Sequence, residues 1–120
     1  MNNVEWRLTR GNELLATLRP DGKRLVTDCQ AVEGTYETTP AFENWRHLFE
    51  REAYLLDFDG ESENNEWMDI WENLNAPGMF VETADGRSRI EILWVHFKNS
   101  RAWWFPLYNS PKTILANFDL

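Results

Sequence analysis

The N-terminal third of the chain alternates apolar and polar residues, which is the period of a strand with one buried face. The alternation occupies residues 4–9 and 13–19, and a third, less regular run covers residues 24–32. Turn-forming sequences separate the runs, Arg-Gly-Asn at 10–12 and Pro-Asp-Gly at 20–22. This part of the chain is therefore predicted to form three antiparallel strands joined by hairpins.

The middle of the chain changes to the three- and four-residue spacing of amphipathic helices. Thr39 is a cap candidate, and Pro40 suits the first helical position, so a helix is predicted over about 41–56. Its recurring positions are Phe42, Trp45, Leu48, Phe49, Glu52, Ala53 and Leu56. A polar loop over 57–65 separates it from a shorter helix, whose inward positions are Trp67, Ile70, Trp71 and Leu74.

The C-terminal third returns to strand patterns. Residues 79–83 and 88–98 flank an Asp-Gly turn, and Asn-Ser at 99–100 leads into a further strand over 102–108. Ser110-Pro111 could cap a short helix that carries Ile114, Leu115 and Phe118.

The predicted fold class is α+β. An antiparallel β-sheet of five to six strands, connected by hairpins, would carry two amphipathic helices packed on one face, in the order β-β-β-α-α-β-β-β-(α). At 120 residues the chain has the size of one domain, so residues 1–120 are predicted to form a single α+β domain.

The cysteine content is compatible with a reducing compartment. Cys29 is the sole cysteine, so no internal disulfide can form, and no signal peptide or membrane span is recognisable. Cytoplasmic localisation, without membrane association, is the expectation. Seven tryptophans are many for a domain of this size, so some of them should reach the surface.

The formal net charge of −8 is concentrated in one segment. Between positions 57 and 72 the chain has no basic residue and seven acidic ones, Asp57, Asp59, Glu61, Glu63, Glu66, Asp69 and Glu72. A local field of one sign can steer a partner of opposite charge, whereas nucleic-acid binding needs clustered Lys and Arg. The pattern indicates a basic protein partner and no nucleic acid.

Few side chains are candidates for a catalytic or metal-binding role. The only histidines are His47, expected on the exposed side of the first helix, and His96, expected as a structural histidine on a central strand. Asp57 to Glu63 begins like a calcium loop, but Gly60 is fourth instead of sixth, and Met68 stands where the twelfth-position Glu belongs. We therefore predict no catalytic residue, no metal site and no cofactor.

The leading functional hypothesis is a small acidic protein-binding module of the inhibitor, immunity or adaptor type. It would dock a basic partner through an acidic helix-loop surface formed by Asp59, Glu61, Glu63, Glu66, Asp69 and Glu72.

The alternative is a small-molecule binding domain with an aromatic pocket between sheet and helices. Its lining residues would be Trp94, Trp103, Trp104, Tyr108 and His96. An enzyme is a third hypothesis, centred on His96 with a nearby carboxylate. Pairing of two copies through an exposed sheet edge is a further option for assembly.

Overall fold

The computed structural model describes residues 5–26, 29–56, 61–107 and 118, apart from the side chains of residues 23–26, 29–30 and 61–64. Within these residues the chain forms six strands, one 3-10 helix and two α-helices. In chain order they are β1 (Trp6–Arg10), β2 (Glu13–Val26), β3 (Cys29–Thr38), the 3-10 helix (Pro40–Asn44), α1 (Arg46–Leu55), α2 (Glu61–Asn75), β4 (Met79–Thr83), β5 (Arg89–Lys98) and β6 (Arg101–Pro106).

The six strands pair antiparallel in the order β1-β2-β3-β6-β5-β4, and β1 also pairs with β4, so the sheet closes into a barrel. The α+β class with an antiparallel sheet is thus confirmed, but the prediction of a sheet with helices on one face missed the closure. Alternating patterns report a buried face and do not report whether the twist brings the end strands together. β1 and β4, the strands that would form free edges, bond to each other.

The barrel interior is filled by the inward positions of all six strands. Val32, Trp104 and Val95 are paired neighbours on β3, β6 and β5, and each is at most 4% exposed. Trp6 packs edge-on against Trp104 at 5.8 Å between ring centroids. Because a small barrel has room only for side chains, this aromatic and aliphatic packing is its core.

The predicted turn at Pro20-Asp21-Gly22 is wrong, because β2 continues through it to Val26. Pro20 pairs with Gly34 of β3, and a register shift follows between Pro20 and Gly22. A Cβ on Gly34 would clash with the backbone oxygen of Arg19. The turn sequence therefore forms a bulge inside one long strand, and glycine allows the close approach of the neighbouring backbone.

The predicted first helix is divided in two, the 3-10 helix Pro40–Asn44 and α1. The Thr39 hydroxyl does not cap the helix; it donates to the backbone oxygen of Leu14 at 2.6 Å. Phe42 and Phe49 stack on each other and pack against Phe97 near the end of β5. The division lets the chain follow the barrel end before α1 reaches the side of β5.

Arg10 of β1 joins the barrel to the C-terminal end of α2. Its guanidinium donates to the backbone oxygens of Leu74 at 3.1 Å and Asn73 at 2.8 Å, and it lies 3.8 Å from the Trp45 ring centroid. The last turn of α2 has no basic residue of its own. Arg10 therefore supplies both hydrogen bonds and positive charge to backbone carbonyls at the end of α2, which have no hydrogen-bond donor within the helix.

The predicted C-terminal hairpins are present. Gly86 has a φ of +72° in the β4–β5 turn, and Asn99 and Ser100 both have positive φ, 55° and 65°, as a two-residue primed turn requires. The predicted C-terminal helix lies outside the described residues. No helix in the described part of the chain has the length and apolar character needed to cross a membrane.

Candidate functional site

A carboxylate and an imidazole meet in a buried position between α1 and β5. The Glu52 side chain is 0% exposed, and both of its oxygens lie close to Nδ1 of His96, Oε1 at 2.9 Å and Oε2 at 2.8 Å. Glu52 lies on the buried side of α1 with Phe49 and Ala53. Because a carboxylate can only accept, His96 Nδ1 carries the hydrogen of this bond.

Trp67 of α2 completes the polar group. Its indole Nε1 donates to Glu52 Oε2 at 2.8 Å. An unpaired buried carboxylate is strongly unfavourable, so these donors are what allow Glu52 to occupy the core. The triad of Glu52, His96 and Trp67 thereby holds both helices against the outer face of β5.

Aromatic rings surround His96. Trp103, its cross-strand partner on β6, is 5.3 Å away between centroids; Trp71 and Phe105 are each 6.0 Å away, and Trp94 is at 6.5 Å. Trp94 and Trp103 are partly exposed, whereas His96 is 4% exposed. The imidazole therefore sits beneath an aromatic rim that reaches solvent.

The second ring nitrogen of His96, Nε2, has no hydrogen-bond partner among the described residues. In the neutral ring with hydrogen on Nδ1, Nε2 presents a lone pair and can accept a hydrogen bond. No cluster of three or more His, Cys, Asp or Glu side chains suited to a metal ion occurs in the part of the chain that is described.

The residues predicted to line an aromatic pocket are divided between the two faces of the sheet. His96, Trp94 and Trp103 lie together on the outer face, while Trp104 is 0% exposed and packs in the interior. Adjacent strand residues point to opposite sides, so Trp103 and Trp104 could not both face one pocket. Tyr108 lies outside the described residues.

The predicted acidic surface is described only in part. Asp59 is outside the described residues, and so are the side chains of Glu61 and Glu63. Glu66 accepts two hydrogen bonds from Arg51, at 2.6 Å and 2.8 Å, and this guanidinium lowers the pKa of the Glu66 carboxyl.

Asp69 and Glu72 differ from Glu66 because both are exposed and neither has an ion pair with any described residue. Exposed apolar side chains lie close by. Met68 on α2 is 52% exposed, and Leu93 on β5 is 41% exposed. The Asn75 amide donates to the backbone oxygen of Leu93 at 3.5 Å, which places this flank of α2 beside β5. We call Met68, Asp69, Glu72 and Leu93 the α2 surface.

Glu52 is the residue that the sequence interpretation missed. It belongs to the helically spaced set between Phe49 and Ala53, where a charged side chain interrupts an apolar stripe. An acid at such a position signals a buried partner, which here is His96. His47 is exposed as expected, and Glu43, on the preceding 3-10 helix, pairs with Arg46.

The chain was compared with protein-family models, with curated proteins and with solved structures, and it matches none of them.

Proposed function

We propose that the chain is a protein-binding module that docks a basic partner on the α2 surface. The observation that carries the proposal is the combination of two exposed carboxylates, Asp69 and Glu72, with the exposed apolar side chains Met68 and Leu93. Methionine is enriched in protein interfaces, and an apolar centre with charged neighbours is their usual composition. Such a surface supports binding rather than catalysis.

Asp69 and Glu72 are more available to a partner than several other surface acids. Glu5 and Glu37 pair with Arg19, Glu43 pairs with Arg46, and Asp21 pairs with Arg101. Asp69 and Glu72 have no such partner among the described residues, so a partner's Lys or Arg would not have to displace an internal cation. Complementary charge would accelerate the encounter and fix its orientation.

The proposal is tested by measuring binding to a panel of basic proteins at low and high salt. We expect Asp69→Lys/Glu72→Lys to weaken binding about tenfold or more at low salt, with a smaller difference at high salt because ions screen exposed charges. Glu50→Lys/Glu91→Lys is the matched control, since it reverses two exposed acids outside α2.

The apolar half of the surface needs its own variant. Met68→Ala/Leu93→Ala should weaken binding to the same partner by a factor that does not depend on salt, because it removes apolar contact area. Docking at the α2 surface would be refuted if the parent protein, Asp69→Lys/Glu72→Lys and Met68→Ala/Leu93→Ala all bound the partner with equal affinity.

A further inference from the structure

His96 combines a fixed orientation with a second ring nitrogen that has no hydrogen-bond partner among the described residues. Its Nδ1 donates to Glu52, and Glu52 is held in turn by Trp67 Nε1. A carboxylate behind an imidazole fixes the tautomer and the ring plane, as it does for histidines that bind ligands through the other nitrogen. Nε2, unpartnered by any described residue, is therefore presented in one orientation.

Aromatic rings surround the His96 imidazole. Trp94 is tilted 30° from the His96 ring, Trp103 is tilted 52°, and Phe105 contacts both His96 and Trp94 edge-on. Rings favour such offset and edge-to-face neighbours. The partial exposure of Trp94 and Trp103 gives solvent access to the rim of the cluster.

From these observations we propose that His96 and the outer rings of Trp94 and Trp103 form a binding site for a small aromatic ligand. The ligand would carry an O–H or N–H group that donates to Nε2 while its ring packs against the indoles. Ligand sites combine apolar walls with a few fixed polar atoms in this way. This site shares no residue with the α2 surface, although Leu93 and Trp94 are neighbours on β5, and its ligand is a small molecule instead of a protein.

The test uses NMR signals of the two histidines during titration with phenol and with anisole, which has a methoxy group in place of the hydroxyl. Phenol should shift the His96 Nε2 signal saturably and leave exposed His47 unchanged. Phenol should also bind about fivefold more tightly than anisole, the factor expected for one net hydrogen bond. Indole and 1-methylindole make a second matched pair with an N–H donor.

Tryptophan substitutions test which indole rings contact the bound ligand. Trp103→Leu should weaken phenol binding about fivefold or more, whereas Trp45→Leu should not, because Trp45 lies against Arg10 and Glu13. The His96 ring signals report whether each variant keeps the folded site. The proposal is overturned by any of three results: no saturable shift at His96, equal shifts at His47, or equal affinities for phenol and anisole.

Discussion

The inner and outer faces of β5 and β6 both carry aromatic side chains, but the polar atoms on the two faces differ in their hydrogen bonding. Inside the barrel, the indole nitrogens of Trp6 and Trp104 are buried without a hydrogen-bond partner in the described residues. On the outer face, Trp67 Nε1 and His96 Nδ1 both donate to Glu52, although the indole nitrogen of Trp71 beside them is also buried without a partner in the described residues. The interior therefore uses its rings for packed area, whereas the outer face also depends on a directional polar group.

This difference predicts which substitutions destabilise each face of the sheet. Apolar packing loses free energy in proportion to the volume removed, and the surroundings relax in part. A buried polar group loses most when one member is removed and the others remain without partners. The inner face should therefore respond to side-chain size, and the outer face to whether polar partners are removed singly or together.

The largest effect is expected for Trp104→Ala. This side chain is 0% exposed, and its loss should lower the free energy of unfolding by about 3–5 kcal/mol. Trp103→Ala is the matched control, because the neighbouring side chain is partly exposed on the other face and should cost clearly less. Urea unfolding measures both. Equal losses would contradict the distinction between a packed interior and an accessible outer face.

Next in size is the effect of Glu52→Met, which should lower the free energy of unfolding by about 2–4 kcal/mol. His96 Nδ1 and Trp67 Nε1 would then both lack an acceptor. Adding His96→Phe removes one of these donors, so the double variant should be more stable than Glu52→Met alone. If the two substitutions are additive in urea unfolding, the buried pair is not energetically coupled.

A smaller effect is expected for Arg10→Met, about 1–2 kcal/mol, because it removes hydrogen bonds to the end of α2 and a contact with the Trp45 ring. Relative to the parent protein, Arg10→Met should accelerate hydrogen exchange more in α2 than in the barrel strands. Arg87→Met, at an exposed turn position, is the control. Uniformly faster exchange throughout the chain would show that Arg10 does not act on α2 in particular.

The smallest effect concerns the exposed ion pair between β2 and β6. Arg101 hydrogen bonds to Asp21 and lowers the pKa of that carboxyl, so the ionised form stabilises the folded state. This contribution is present above the unfolded-state pKa, about 3.9, and is lost as the pH falls through the folded-state pKa.

Asp21→Asn should therefore lower the urea midpoint of unfolding slightly at pH 7. The difference from the parent protein should shrink below about pH 3. A shift that is the same at both pH values would assign the change to the amide side chain itself. Because both side chains are partly exposed, 35% for Arg101 and 47% for Asp21, even the shift at pH 7 should be small.

Local patterns predict most of the elements and little of their arrangement. The spacing of Trp67, Ile70 and Trp71 is sufficient for a helix, and Asp85-Gly86 for a hairpin, because these signals lie within a few residues. Barrel closure depends on the pairing of β1 with β4, for which the sequence has no local signal. The bulge after Pro20 also depends on a distant residue, Gly34.

The candidate sites show the same limit. The residues of the predicted aromatic pocket could be listed from the sequence, but their division between the faces of β6 requires the register that separates Trp103 from Trp104. Glu52 could be recognised as an acid in an apolar stripe, yet its partner is 44 positions away. The pairing of Glu66 with Arg51 likewise joins two helices whose packing the sequence does not specify.

Barrel closure also has a consequence for the order in which the chain folds. The hairpins β2–β3, β4–β5 and β5–β6 join neighbouring segments, whereas β1 must find β4 across the whole intervening chain. Such a pairing has a high entropic cost and is expected late on the folding path. Substitutions in the hairpins should then change the folding rate, while those at the β1–β4 seam should mainly accelerate unfolding.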